Sequence, residues 1–417
     1  MVNMVSSSRQ NHFAMVPSID RPRSAFDRSH GHKTTFDAGY LVPVYVDEVL
    51  PGDTVKLDMT AFARLATPLH PFMDNMYMSS FFFFVPLRLI WDNFQKFMGE
   101  QKNPGDSTDF VTPKITAPAT TGFVVGSLFD YFGLPTGVPG YVINNFYARA
   151  YNLIYNEWFR DQNLQNSVVV DLDDGPDDVS DYVLLRRGKR HDYFTSALPF
   201  PQKGPAVELP LTGNAPVKGI GVDNRTFSSA PVSGTTIYES GGTTADYLGI
   251  GKNQDASNAS RVVYIKGTAA SNGYPDIYAD LASVTSSTIN QLREAIAIQQ
   301  LYELDARGGT RYTEAVLARF GVKSPDARLQ RPEYLGGGRS NVNVTPIAQQ
   351  SETTDDSPQG NLAGIGTSTL KRHGFTHSFT EHGVIIGMVC AHADLTYQQG
   401  VNRSFTRSTR FDFYEPI

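Results

Sequence analysis

The chain is 417 residues long, 40% hydrophobic and 12% aromatic, with 36 glycines and 25 prolines. Such a chain can bury a sizeable core, as one large domain or a few ordinary ones, but must turn often, which favours a β-rich body with long loops. Its 36 Lys and Arg against 42 Asp and Glu leave a net charge of -6, which excludes a protein that coats nucleic acid through overall basicity.

Residues 1–35 are polar and carry Arg9, Arg21, Arg23, Arg28 and Lys33 against Asp20 and Asp27, the composition of an extended arm. The opening MVNMVSSSRQNHF has no apolar segment of a secretory signal. No apolar run reaches the roughly 18–20 residues of a bilayer span, so no membrane contact is expected. The body starts with β-type residues at Tyr40–Val49, broken by Pro43, and Pro51-Gly52-Asp53 turns the chain into a second strand over 54–66. Met76–Val85 is a third strand with four consecutive phenylalanines, Phe81, Phe82, Phe83 and Phe84. A strand with one wet face alternates, so these need cover on both sides: a sandwich interior on one, a neighbouring subunit or a loop on the other. Leu87, Ile90, Trp91, Phe94 and Met98 share one side of a helix predicted over 87–98. Tyr147, Tyr151, Ile154 and Trp158 form the stripe of a second helix over 144–160, spaced for core packing.

Residues 205–275 are rich in Gly, Ser, Thr and Asn. Composition alone fits a flexible linker or an exposed insertion, and Val262–Ile265 with scattered aromatics favours the insertion. Thr288 and Gln291 then fit a capping box that opens a helix stopped by Gly308-Gly309, with a short helix after it. Ile289, Leu292 and Ile296 lie on one side of that helix, Ile298 and Leu301 well round from them. A helix apolar on several sides expects cover on several sides, either inside one domain or between its own chain and a neighbour. A loose stretch follows over 335–367, then a strand at Gly383–Ala391 and a basic, aromatic end, RSFTRSTRFDFYEPI.

Candidate chemistry is sparse. His373, His377, His382, Cys390 and His392 are dense enough to consider zinc, but their spacings fit no compact ligand pair, and HExxH and CxxC are absent. The only cysteine also excludes an intrachain disulfide. The acidic run Asp171–Asp178 resembles a calcium loop only faintly and reads as a solvated turn. The glycine runs lack GxxxxGK[ST] and there is no GxSxG, so neither cofactor nor catalysis is expected. Arg186, Arg187, Lys189 and Arg190, followed by Tyr193 and Phe194, form the densest basic-aromatic cluster. Guanidinium groups bind phosphate and rings stack on unpaired bases, so the cluster is a candidate contact for single-stranded DNA, or else an interface strip pairing with a neighbour's acids. Arg403, Arg407 and Arg410 with Phe405, Phe411 and Phe413 are a second candidate, whose alternation also suits an amphipathic edge strand.

Several long blocks carry a family resemblance in order along the chain: FDAGYLVPVYVDEVLPGDT (36–54), DNMYMSSFFFFVP (74–86), NEWFRDQNLQ (156–165), LLRRGKRHDYFTSALPFPQKG (184–204), the helical block at 288–336, and EHGVIIGMVCAHADLTYQQG (381–400). The chain resembles the major capsid proteins of the gokushovirus branch of the Microviridae, small tailless phages. The resemblance implies a mainly β fold, an eight-stranded antiparallel jelly-roll β-sandwich with large loop and helical insertions. It divides the chain into an arm (1–35), a first part of the jelly roll (36–204), a surface insertion at the shell's threefold protrusion (205–275), and a helical excursion with the later strands (276–417). It further implies a homo-oligomeric T=1 icosahedral shell around circular single-stranded DNA. A separate small basic DNA-binding virion protein, a host-cell surface receptor and assembly in the bacterial cytoplasm come with it. Phe81–Phe84 and the apolar residues from Ile289 to Leu301 would pack between subunits. Family members continue well past FDFYEPI and carry tryptophan where Glu415 stands, which implies a C-terminally shortened chain. Outside the resemblance, the residues leave two other readings: a metal-dependent enzyme built on the late histidines, and a glycan-binding β-sandwich.

Overall fold

Strand β1 (Val42–Val49) and strand β2 (Thr54–Arg64) show at once how differently the strands of this chain are used. In β2 exposed and half-buried residues alternate along its whole length, the mark of a strand with one wet face. β3 (Met76–Pro86) is buried almost throughout, as the phenylalanine run requires. Later come β4 (Glu333–Asn341), β5 (Asn343–Ala348), β6 (Leu362–Ser378) and β7 (Gly383–Ala393). This is a computed structural model, and it describes residues 22–66, 72, 74–192, 194–208, 217–218, 220–222, 263–265, 278–279, 288–348, 352–355, 360, 362–397 and 399–413. Strand makes up 28% and helix 22%.

The strands form a four-stranded sheet in the order β1-β7-β3-β4 and a three-stranded sheet in the order β5-β6-β2. The registered pairs β1–β7, β7–β3, β5–β6 and β6–β2 are antiparallel. Among the described residues no barrel is closed. Apolar side chains of both sheets share two clusters. Val49, Phe82, Phe84 and Ile385 of the first sheet meet Phe375, with Phe379 just past the end of β6, and Val42, Met78 and Val389 meet Leu370. Removing one such phenylalanine from water stabilises the fold by roughly 2 kcal/mol.

The other face of β3 is covered as well. Helix α1 (Phe146–Ile154) lies against β7 and β3, and the Phe83 ring sits 5.4 Å from Tyr334. Phe82, Phe83 and Phe84 are thus sealed within one chain, at 1%, 1% and 6% exposure, and offer no surface to a neighbour; Phe81 is only half-buried. The rings of Phe82 and Phe84 fit beside β7 because its glycines, Gly387 and Gly383, leave room. Gly387 stands opposite Phe82, and a Cβ on it would lie 2.7 Å from the Phe82 ring. Gly387→Val is therefore expected to overpack the core and cost about 1–3 kcal/mol, read as a lower urea midpoint at unchanged m-value.

Three expectations are corrected. The helix predicted over 87–98 is a 3-10 turn at Leu87–Leu89 and a single helical turn at Phe94–Phe97. Backbone groups that would continue it are engaged elsewhere: the Ile90 carbonyl accepts from Arg149, and the Asp92 amide donates to Leu172. Leu87, Ile90, Trp91 and Phe94 are nevertheless all buried. The helix predicted over 144–160 ends as a π turn at Tyr155–Phe159, which breaks the stripe, so Tyr151 and Ile154 are buried and Trp158 is exposed. The stretch 335–367 is not loose, because β4, β5 and the start of β6 lie in it. Its glycines mark close packing: a Cβ on Gly336 would lie 2.6 Å from the Gly374 carbonyl, and one on Gly338 2.6 Å from the His373 ring.

The chain divides into two compact units. The sheets belong to the first, formed by residues up to Tyr155, Val169–Arg187 and Tyr334 onward. Its described arm residues, 22–35, have no regular structure. Arg28 pairs with Asp47 of β1 at 2.6 Å, His30 stacks on Tyr45, and Arg23 donates to the Gly52 carbonyl. The second unit, Asn156–Val168 with Gly188–Glu333, contains helix α2 (Ile289–Arg307) and helix α3 (Tyr312–Phe320). Most of the expected insertion 205–275 lies outside the described residues, as do residues 1–21 of the arm and Glu415.

Candidate functional site

Arg149 on α1 is fully buried, and its partners come from the acidic run. Its Nε donates to Asp177 at 2.7 Å, and its Nη1 donates to the carbonyls of Asp173 at 2.8 Å and Ile90 at 3.0 Å. Asn145 also donates to Asp177, while the Trp91 indole donates to Asp174 at 2.6 Å and the Tyr182 hydroxyl to Asp171 at 2.9 Å. Burial and then the Asp177 charge hold the Tyr182 phenol far above its usual range, so it remains a donor. Residues 171–178 are therefore a solvated turn only in part: Asp171, Asp174 and Asp177 are committed to donors of their own chain, whereas Leu172, Asp173, Pro176 and Asp178 are exposed.

This anchoring fixes the segment that follows. The Tyr151 hydroxyl donates to the Leu41 carbonyl and accepts from the Leu185 amide, and Leu41 N donates to Leu185. The Arg187 amide donates to Gly39, whose own amide donates to Ala391 at the end of β7. Arg186 and Arg187 are thereby laid across one end of the four-stranded sheet. The Arg186 guanidinium lies 4.7 Å over the Tyr40 ring, Arg187 5.0 Å over Phe81, and Arg339 of β4 3.2 Å over Tyr77. Between them is His392, which faces Tyr77 in the register, with Nδ1 3.3 Å from Arg187. Burial and then the charges of Arg187 and Arg339 push the His392 imidazole down to about 4, so it is neutral near pH 7. Its Nε2 is buried without a hydrogen-bond partner. Arg339 also pairs with Asp394 at 3.0 Å.

The cluster read as continuous in sequence is parcelled out by the fold. Arg186 and Arg187 belong to the first unit, and Lys189, Arg190 and Phe194 to the second. There Lys189 pairs with Asp192 and Phe194 is exposed; Tyr193 lies outside the described residues. Sequence reasoning did not connect Tyr40, Tyr77 or Arg339 with this cluster and read His392 only among the late histidines. The late histidines are dispersed: His373 bonds the Ser80 hydroxyl at 2.7 Å, His377 packs on Phe379, and His382 meets Phe94 edge-on. Cys390 is buried and its thiol is pushed up by desolvation. Among the described residues no three His, Cys, Asp or Glu side chains gather as metal ligands, and no helix is long and apolar enough to cross a membrane.

Helix α2 is built inside out. Its capping box is formed as expected, Thr288 Oγ1 accepting from Gln291 N at 3.2 Å and Gln291 Oε1 from Thr288 N at 2.9 Å. Its covered side consists of Ala295, Gln299, Tyr302 and Ala306. That side is held by polar contacts, with Gln299 donating to Gln202 and the Lys203 amide to the Tyr302 carbonyl. The large apolar residues point away: Ile289 is 71% exposed, Ile296 49%, Leu292 42%, Leu301 41%, Leu304 37% and Ile298 36%. Tyr312, Leu317 and Phe320 of α3 are exposed too. The C-terminal basic-aromatic segment is not an edge strand but a helical turn at Arg403–Thr406 and a 3-10 turn at Arg410–Asp412, with Phe405, Phe411 and Phe413 exposed.

A family model described as capsid protein (F protein) matches residues 14–417. The chain is 47% identical over 419 residues to the capsid protein VP1 of Bdellovibrio phage phiMH2K, covering 99% of this chain and 76% of that protein. It is 42% identical over 463 residues to the capsid protein VP1 of Chlamydia phage 1, with 98% and 78% covered. Against the capsid protein VP1 of Spiroplasma virus 4 the identity is 36% over 435 residues, with 99% and 77% covered.

Proposed function

The chain belongs to the F-type capsid protein family of Microviridae-like phages, and from that membership we propose that it builds a T=1 icosahedral shell by covering the apolar faces of α2 with further copies of itself. A structural capsid role, in a homo-oligomeric shell of the virion, comes with the family, whose members are not enzymes. The observation that carries the assembly reading is the inside-out helix. Exposed Ile and Leu on several sides of one element are a cost in an isolated subunit and a driving force in a shell, where closed symmetry repeats each contact. The sheet order β1-β7-β3-β4, with the first and last of these strands adjacent and the second and third beside them, supports reading the body as a jelly roll with its helical insertion between β3 and β4.

The shell would enclose circular single-stranded DNA after assembly in the host cytoplasm. The net charge of -6 leaves most neutralisation to a separate small basic virion protein. The Gly-, Ser- and Thr-rich residues 205–275 suit an exposed loop that binds the host-cell receptor, since loops carry recognition while the sheets position them. Negative-stain electron microscopy of the purified protein tests assembly directly: closed particles support it, and a persistent monomer at high concentration ends it. Particles deleted for residues 210–270 should still form and fail to adsorb to host cells; normal adsorption removes the loop's role.

A further inference from the structure

On the outer face of the three-stranded sheet, backbone strain and unpaired charge coincide. In β2 the side chains of Val55, Leu57, Met59, Ala61 and Ala63 point into the two apolar clusters. Lys56, Asp58, Thr60, Phe62 and Arg64 therefore project from the opposite, exposed face. Beside Thr60 the central strand β6 bulges: Leu370 pairs with Ala61 and His373 with Met59, which sets Lys371 and Arg372 together against one residue. Leu370 lies in the core and His373 bonds Ser80 of β3, so the bulge turns both cations outward, where both are exposed. Arg372 has a φ of 56°, the only positive value at a described residue other than glycine. Glycine would hold that conformation without strain, and an outlier of this kind points to use of the side chain it presents.

Among the described residues, none of the Lys56, Arg64, Lys371 and Arg372 side chains has an ion pair or a hydrogen bond. Charges on an edge strand discourage edge-to-edge pairing, which accounts for Lys56 and Arg64 on β2 but not for two cations in the central strand. A phosphate backbone would be repelled by Asp58 within the row, whereas a protein surface carries fixed charges that can be matched one by one. In a chain of net charge -6, a second copy supplies such a surface. Its turn at residues 171–178 holds Asp171, Asp173, Asp174, Asp177 and Asp178 against one buried guanidinium, Arg149. Asp173 and Asp178 project from that turn into solvent. Hydrogen bonds from the Ser180 amide and hydroxyl hold the Asp178 carboxyl below its usual range, so it stays ionised.

We propose that Lys371 and Arg372, flanked by Lys56 and Arg64, form a docking surface for the Asp173–Asp178 turn of a second copy of this chain. The contact rests on the reading of a self-assembling shell, and it adds a salt-sensitive attachment between copies to the apolar cover of α2. Sedimentation velocity of the purified full-length protein at two ionic strengths tests it. Wild-type association is expected to weaken between about 0.1 and 1 M salt, as the Debye length falls from about 10 to 3 Å. An apolar contact alone is not weakened by salt.

Lys371→Glu with Arg372→Glu, and separately Asp173→Lys with Asp178→Lys, should each weaken association at least about tenfold. All four reversals in one chain restore the charge match and should regain most of the loss. Arg372→Gly removes a cation and the backbone strain together. It should raise the urea midpoint and still weaken association, a combination that a purely structural residue does not give. Circular dichroism checks that each variant is folded, and Arg372→Gly carries the test if the reversed pairs are not. The docking is overturned if either reversed pair associates like the wild type, if the fourfold variant regains nothing, or if Arg372→Gly leaves association unchanged. A loss confined to the reversed bulge also overturns it and assigns the cations to a different anion. Particles formed alike by the wild type and the variants remove the docking and keep the shell. Salt-sensitive association of a wild type that forms no particles, lost in the variants, upholds the docking and removes the shell; a wild type that does not associate removes both.

Discussion

Arg149→Met is expected to destabilise the first unit by about 3–5 kcal/mol, because it strips a buried cation from a buried anion. Arg149 is wholly covered and Asp177 nearly so, and the guanidinium also satisfies the carbonyls of Ile90 and Asp173. Methionine fills the volume but leaves Asp177 with Asn145 and Tyr182 as donors and the buried Ile90 carbonyl short of a partner. Asp177→Leu made together with Arg149→Met should recover part of the loss, since removing both charges costs less than removing one. Urea unfolding followed by tryptophan fluorescence checks this well, because Trp91 hydrogen-bonds Asp174 of the same turn. A single variant as stable as the wild type would mean that the pair is solvated and the turn is not held from within. Loosening should spread to Leu185–Arg187, whose backbone is held by Tyr151, Leu41 and Gly39.

What could be read from sequence follows the range of the forces involved. β3 was legible because four adjacent phenylalanines admit only a strand covered on both faces, and α2 because its capping box, glycine stop and many-sided apolar pattern are all local. The break in 87–98 was not legible: the groups that end the helix, Arg149 and Leu172, lie far along the chain. β4 was hidden for the same reason, since Gly336–Gly338 signal a loop locally and are glycine because Gly374 and His373 come close. The nucleic-acid candidate was half legible. Arg186 and Arg187 announce themselves, whereas Tyr77 and His392 become neighbours only once β3 is registered on β7. Setting Phe82 of SSFFFFVP opposite Gly387 of GVIIGMVC fixes the antiparallel register that puts Tyr77 opposite His392. Arg339, on the far side of β3, carried no local mark at all.

The second large effect expected is on assembly. Ile296→Glu with Leu301→Lys should leave the subunit folded and abolish particles. Both side chains are exposed in the single chain, so neither substitution opens a cavity, and surface changes of this kind stay within about 0.5 kcal/mol. Local helix stability is protected as well: a glutamate at 296 sits three residues after Arg293, and a lysine at 301 four residues before Asp305, both favourable pairs on a helix surface. In a shell the same positions lie within an apolar contact, where a charge without a partner costs several kcal/mol and every subunit carries the defect. Thermal unfolding near the wild-type midpoint together with loss of the particle peak in analytical ultracentrifugation is the expected result. A folding defect with normal particles would place the cover of α2 inside its own chain, and the exposed Tyr312, Leu317 and Phe320 of α3 would then be the next surface on which copies could meet.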